Sequence, residues 1–257
     1  MSLSTQIALK TNDKFQIFCN YISNKIKSAW SHIKKSDSWQ LAGIITAVAL
    51  LCFATTYIQN MFTIPLGGDF VLQMIPFQFK GYDDWHTFFR TGVFPTWDSS
   101  GIFGFSNIGG NSYYYLFDPW FLIMLIFPRS WLPQLQGIGT VVKMVTGGVL
   151  FYHYLGCFKI SISTRKIGAV CYAFCGWTFY YLWFHFINIT AVLPLLFWGI
   201  ENVIQKKKPT MLIGSLILLC LINYYFFICF CFGSVFYAVF RVLQEVKKNK
   251  ARETFKI

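Results

Sequence analysis

The chain has 257 residues, of which 55% are hydrophobic and 20% aromatic, while only 12% are charged. Soluble domains carry about 25% charged residues, so this composition excludes an ordinary globular enzyme and a disordered polar chain and points to the bilayer. The net charge of +12 does not indicate a nucleic-acid partner, because the basic residues sit in short clusters between apolar runs rather than on a face of a soluble fold.

In chain order, Phe15, Phe18, Ile22, Ile26, Ala29 and Ile33 recur at helical spacing among lysines. That pattern predicts an amphipathic segment on the inner leaflet, held there by anionic membrane lipids. A crossing helix needs about 20 apolar residues. The first candidate covers 41–58, introduced by Trp39 as an interfacial anchor. No small-residue cleavage site follows it, so it is expected to remain as a signal anchor.

Further apolar stretches at 137–157, 167–184, 189–204, 210–225 and 227–243 bring the expected number of spans to six. A seventh stretch, 113–127, contains Asp118 and Pro119 and ends at Pro128. These features would leave polar groups unsatisfied in lipid, so it is expected to be re-entrant or surface-lying. With six spans, the clusters Lys159/Arg165/Lys166, Lys206/Lys207/Lys208 and Lys247/Lys248/Lys250/Arg252/Lys256 join the N-terminal lysines on the cytoplasmic side. The sequence therefore predicts an all-α polytopic membrane protein with both termini cytoplasmic. Residues 1–40 form the amphipathic segment, 41–58 the first span, 59–136 a large extracytoplasmic loop with juxtamembrane helices, 137–243 a five-helix bundle and 244–257 a basic tail.

The loop carries Asp69, Asp83, Asp84, Asp98 and Asp118, half of the 10 acidic residues, and long loops in compact proteins are commonly functional. Gly67-Gly68-Asp69 places a carboxylate just beyond the first span, on a turn that lets a substrate approach the backbone. The stretch 70–90 reads as an interfacial helix broken near Pro76 and Gly81. Asp98 reads as a turn residue, followed by glycines 101, 104, 109 and 110 and the run Tyr113-Tyr114-Tyr115. Asp118, preceding a proline, has the form of a helix cap. Asp83, Asp84 and His86 bear metal-binding groups, but adjacent aspartates diverge on a helix, and a solvated face accounts for them.

Lys143 is an ion inside an apolar run, which marks either a functional site or a side chain snorkelling to the headgroups. His185 and Asn188 fall at the same outer face as Asp69, whereas His153 reads as structural. Asn188-Ile-Thr190 matches a glycosylation acceptor but abuts a span. The pairs Cys171/Cys175 and Cys229/Cys231 lack zinc spacing and read as reduced packing thiols. Trp85 and Trp97 are the loop aromatics suited to stacking on a sugar.

Certain residues occur in an order that resembles the bacterial YfhO-type membrane proteins of the GT-C glycosyltransferase superfamily. They are Gly68-Asp69 with Gln73, Phe94-Pro95 with Trp97, Asp118-Pro119-Trp120-Phe121, Phe127-Pro128, Lys143 with Gly147-Gly148, Tyr172 with Gly176, His185, Pro194-Leu195, Gly199-Ile200-Glu201 and Asn223-Tyr224. The resemblance covers 67–241 and corresponds to the N-terminal portion of such proteins. It implies a GT-C-like fold and transfer of a sugar from a polyprenyl-phosphate carrier, with inversion, to a cell-envelope polymer such as a teichoic acid outside the cytoplasmic membrane. Asp69 then matches the general base, with Asp118 as a second catalytic candidate. Lys143, Arg90, His185, Asn188, Trp97 and Gln73 are the substrate-binding candidates. No cofactor is called for, and a divalent cation is optional because a lipid phosphate already leaves readily. A companion chain supplying further spans would be an additional partner. Two other classes remain open at this point, a flippase or transporter half and a non-catalytic membrane scaffold.

Overall fold

The computed structural model describes residues 36–254 apart from 66 and 100–102, with the backbone alone over 248–254. The expected inner-leaflet segment through Ile33 lies outside these residues. Helix α1 (Asp37–Gln59) has 23 residues, about 35 Å at the α-helical rise, enough to cross the hydrocarbon core. Its buried residues are Leu41, Ile45, Ala49, Phe53 and Tyr57. Every fourth position thus forms one stripe toward the bundle, and the remaining apolar surface is left to lipid.

Three more helices are long and apolar enough to cross: α5 (Leu132–Leu155), α8 (Phe184–Ile204) and α10 (Tyr224–Thr254). Helix α9 (Thr210–Ile222) is apolar but has 13 residues. The stretch 167–184, expected as one continuous span, is divided. Helix α6 (Ile162–Ala173) stops before Cys175, whose extended backbone opens α7 (Gly176–Tyr180). Packing accounts for the break: Phe174 and Phe179 stack across it at 6.1 Å, and Phe179 meets Phe53 of α1 at 6.0 Å. Among the described residues four helices are thus long and apolar enough to cross, while the α6–α7 pair and α9 are shorter. The structure is that of an all-α membrane protein whose only described strands form one short hairpin.

Helix α5 lies at the centre, with α1, α6 and α8 packed around it. Small residues permit this. A Cβ on Gly147 would fall 2.6 Å from the Thr190 carbonyl oxygen, and one on Gly148 2.4 Å from Ile45 Cδ1, so the backbones approach as larger residues would forbid. Pro194 lies inside α8 and cannot donate to the carbonyl four residues earlier, that of Thr190. The Tyr172 hydroxyl donates to that oxygen instead, at 2.7 Å, so the freed acceptor is satisfied by a neighbouring helix.

The loop between α1 and α5 is folded onto the bundle. A widened turn of π type, Phe70–Met74, leads into α2 (Ile75–Thr91). Pro76 follows this turn, and its missing N–H and ring bulk disfavour ordinary α geometry just before it. Gly81 does not break α2, contrary to the sequence expectation. It is small because the Tyr115 ring packs over it, with Cε2 2.0 Å from where a Cβ would be. Strands β1 (Trp97–Asp98) and β2 (Phe105–Ser106) pair antiparallel, Trp97 opposite Ser106, and α3 (Asn107–Asn111) follows.

This hairpin is tied to α2 by buried polar groups. Asn107 Nδ2 donates to Asp84 Oδ2 at 2.8 Å, and Lys80 lies 3.2 Å from Asp84 and 3.3 Å from Asp98. Asp98, expected as a turn residue, is therefore part of a buried cluster. Asp83 points the other way and pairs with Arg129 at 2.8 Å. The stretch 113–127 contains only the short α4 (Pro119–Met124). Tyr115, Leu116, Phe121 and Met124 seat it against Leu132 and Phe184.

At the opposite end of the bundle the basic clusters gather. Lys166 pairs with Asp37, Arg165 Nε donates to the Tyr152 carbonyl at 3.2 Å, and Lys159 and Arg241 line one cavity of about 600 Å³. His153 lies here too, stacked on Trp198 and 3.0 Å from the Ser38 hydroxyl. The tail expected from 244 onward continues α10 to Thr254, because Gln244, Glu245, Lys247, Lys248 and Ala251 are strong helix formers.

Candidate functional site

Four of the eight nominated site residues converge beneath the loop. Asp118 caps α4 through Oδ1, which accepts from the Trp120 N–H at 2.9 Å. Its other oxygen, Oδ2, accepts from Asn188 Nδ2 of α8 at 2.8 Å and lies 3.4 Å from Lys143 Nζ of α5. Lys143 also donates to the Phe184 carbonyl at 2.8 Å and sits over the Phe184 ring. Asp118, Lys143 and Asn188 are all 0% exposed. One carboxylate thus joins the loop to two helices of the bundle, each of its oxygens occupied, in a setting where an unpaired charge would be costly.

His185, the fourth member, lies one turn before Asn188 on α8 and is also buried. Its ring contacts Tyr113 at 5.0 Å and Tyr114 at 5.4 Å. Tyr114 leads outward: its hydroxyl donates to Gln73 Oε1 at 3.4 Å, and Gln73 Nε2 lies 3.5 Å from Asp69 Oδ1. Burial, then the Asp69 carboxylate, then Tyr224 hold the Tyr114 phenol above its ordinary range. Asp69 itself is exposed and stands at the mouth of the π-type turn. A relay of polar groups therefore runs from an open carboxylate, through Gln73 and Tyr114, to the aromatic face above the buried pair.

The segment that presents Asp69 is itself constrained. Met61 and Phe62 follow α1 with φ of 48° and 65°, a backbone region unfavourable to bulky side chains. They are held by the Phe62 N–H donating to the Tyr57 carbonyl at 2.9 Å and the Tyr57 hydroxyl donating to the Gly137 carbonyl at 2.7 Å. Such stored strain is typical of positions that aim a functional group.

Arg90 and Trp97 are placed elsewhere. Arg90 lines a shallow groove with Asp83, His86, Thr87 and Phe89 on the outer side of α2, and Trp97 is 63% exposed on the hairpin, packed on Gly104. Among the described contacts neither touches Lys143 or Asp118. Trp85 is used in the core, its Nε1 donating to the Leu116 carbonyl at 3.1 Å. Among the described residues no group of three or more His, Cys, Asp or Glu gathers for a metal.

One constellation was not assembled from sequence. Glu201, fully buried in α8, accepts from Arg241 Nε at 2.6 Å and Nη2 at 3.0 Å and from the Tyr237 hydroxyl at 2.6 Å; Tyr237 in turn meets the Tyr154 hydroxyl at 2.9 Å. A glutamate inside an apolar run was the available signal, since such a group requires a partner. It lies at the basic end, away from Asp69, and braces α10 against α8.

Comparison with known proteins places residues 38–257 on the family model described as bacterial membrane protein YfhO. Neither the curated proteins nor the solved structures gave a match.

Proposed function

The chain belongs to the bacterial YfhO family of membrane proteins, and we propose that it acts as, or as part of, a GT-C-type glycosyltransferase with a polyprenyl-phosphate sugar as donor and a cell-envelope polymer as acceptor. The observation that carries this reading is the exposed Asp69 carboxylate, linked through Gln73 and Tyr114 to His185, which lies one turn from Asn188 of the buried Asp118–Lys143–Asn188 anchor.

In the proposed step an acceptor hydroxyl lies within hydrogen-bond reach of Asp69. The acceptor oxygen attacks the anomeric carbon from the face opposite the phosphate and forms the new C–O bond. Its proton passes to the Asp69 carboxylate. The bond from the anomeric carbon to the phosphate oxygen breaks, and its electron pair leaves with the lipid phosphate. Gln73 and Tyr114 orient Asp69. Lys143, which has no exposed surface and is held by Asp118 and the Phe184 carbonyl, acts as a positioning residue together with Asp118 and Asn188, keeping the loop at a fixed distance from α5 and α8.

The test is transfer by the full chain in proteoliposomes containing labelled polyprenyl-phosphate sugar and an envelope-polymer acceptor. Release of polyprenyl phosphate is expected from the wild type, with a loss of about 100-fold or more in Asp69→Asn. Equal release by the two proteins would refute the assignment.

A further inference from the structure

Tyr113 and Tyr114 pack on His185, and two tyrosines from a distant stretch, Tyr224 and Tyr225, reach Tyr113. Tyr113 lies 5.0 Å from Tyr114, 6.1 Å from Tyr224 and 6.3 Å from Tyr225, ring centre to ring centre. One amide builds this arrangement. Asn223 is buried in the extended link between α9 and α10. Its Nδ2 donates to the Tyr113 carbonyl at 3.4 Å, and its Oδ1 accepts from the Phe226 N–H at 3.2 Å. The start of α10 and the loop are therefore clamped to each other, with a tyrosine pair on each.

The rings do not lie flat against one another. Tyr113 and Tyr114 are inclined at 88°, and Tyr113 and Tyr225 at 78°, so they form the walls of a corner. Tyr224 and Tyr225 remain about half exposed at 45% and 56%, which leaves that corner approachable. Burial raises the Tyr113 phenol above its ordinary range, and the neighbouring Tyr114, Tyr225 and Tyr224 raise it further. The phenol rings are thus gathered, and each hydroxyl can both donate and accept. Beneath them His185 Nδ1 is buried without a hydrogen-bond partner among the described residues, although buried polar atoms are nearly always paired.

Tyrosines of an interfacial belt place amphipathic rings at the headgroup level. Here four phenol rings gather beside a buried ring nitrogen that has no partner among the described residues, which suits a ligand that is flat and apolar on its ring faces and hydroxylated at its edge. We propose that Tyr113, Tyr114, Tyr224 and Tyr225 form the subsite that reads the sugar of the lipid-linked donor. This rests on the transferase reading, and it moves sugar recognition from Trp85 and Trp97 of the loop to the junction of the loop with α8 and α10. Through Tyr114 and Gln73 the subsite adjoins Asp69.

The test uses the full chain in lipid nanodiscs and four probes: a short-chain polyprenyl phosphate bare, and the same lipid bearing glucose, N-acetylglucosamine or mannose. Affinity is measured by titration, so the readout does not depend on turnover. In the wild type at least one sugar-bearing lipid is expected to bind about tenfold or more tighter than the bare lipid. In Tyr113→Phe/Tyr224→Phe, which keeps the rings and removes two hydroxyls, that advantage is expected to fall to about twofold with bare-lipid affinity unchanged. Should the double variant weaken all four probes alike, Tyr225→Phe, the most exposed of the cluster, carries the same comparison. Sugar-blind binding by the wild type, or a sugar advantage that survives the phenylalanine substitutions, overturns the subsite. Sugar-blind binding with transfer intact refutes the subsite alone; sugar-selective binding without transfer refutes the transferase reading alone.

Discussion

Asp118→Asn turns the fully buried Lys143 from a paired ammonium into an unpaired one. The amide oxygen still caps α4 at the Trp120 N–H, so the cap is not what is lost. What remains for Lys143 is the Phe184 carbonyl at 2.8 Å and the Phe184 ring. Removing one member of a buried pair costs about 3–5 kcal/mol, and because the Phe184 carbonyl and ring contacts of Lys143 persist in the variant, a loss at the lower end, about 3 kcal/mol, is expected. For a chain of this size that corresponds to a fall of about 6–12 °C in Tm. Lys143→Met strands the carboxylate instead and should cost a comparable amount. The double variant Asp118→Asn/Lys143→Met removes both charges and should recover most of the loss, to within about 1 kcal/mol of the wild type. Thermal unfolding in detergent, followed by the fluorescence of the nine tryptophans, measures all four proteins. A double variant whose loss equals the sum of the single losses would show that the two residues are not coupled, and the anchor would have to be abandoned.

Glu201→Gln leaves Arg241 without its carboxylate between α8 and α10 and should lower Tm by about 6–12 °C, from a loss near 3 kcal/mol; an unchanged Tm would mean that the brace carries no energy. Gly137→Ala drives a Cβ to 1.9 Å from the Phe62 carbonyl oxygen and should cost about 1–3 kcal/mol by overpacking, while also reducing transfer because the turn before Asp69 must shift. Retention of both Tm and transfer would count against the aimed turn. Tyr172→Phe exposes the Thr190 carbonyl that Pro194 leaves free and should cost about 1–3 kcal/mol. Tyr172→Phe combined with Pro194→Ala, which restores a donor within α8, should lose less, and Tm of the pair against each single variant decides it.

Local signals were legible wherever a residue's neighbours in sequence decide its state. The length and apolarity of α1, α5, α8 and α10 could be read directly, as could the cap at Asp118, since Asp before Pro fixes its own backbone. Asp83 and Asp84 diverge as adjacent helical residues must, one to Arg129 and the other to Asn107, but Asp84 is buried, not on the solvated face expected for both. The resemblance drew attention to Lys143 and His185, a charge inside an apolar run marked Lys143 as well, and Asn188 was nominated by its place beside His185. It did not show that Lys143 is consumed by Asp118, 25 positions away, or that Asn188 reaches the same carboxylate from 70 positions away. Those pairings follow from how α4 lands on the bundle, which no local pattern encodes. The division of 167–184 at Cys175 is of the same kind: hydropathy runs on, and only the meeting of Phe174, Phe179 and Phe53 explains the stop. Gly81 was misread for a complementary reason. A helical glycine looks like a break in isolation and becomes a seat once the Tyr115 ring is placed on it.

The membrane face on which residue 69 stands is the most direct test, because a base acting on an envelope acceptor must be reached from outside. With the eight native cysteines replaced, a cysteine at position 69 should be modified in intact cells by a membrane-impermeant maleimide, and a cysteine at 206 should react only after the membrane is breached. Labelling of position 69 solely in breached cells would contradict the account.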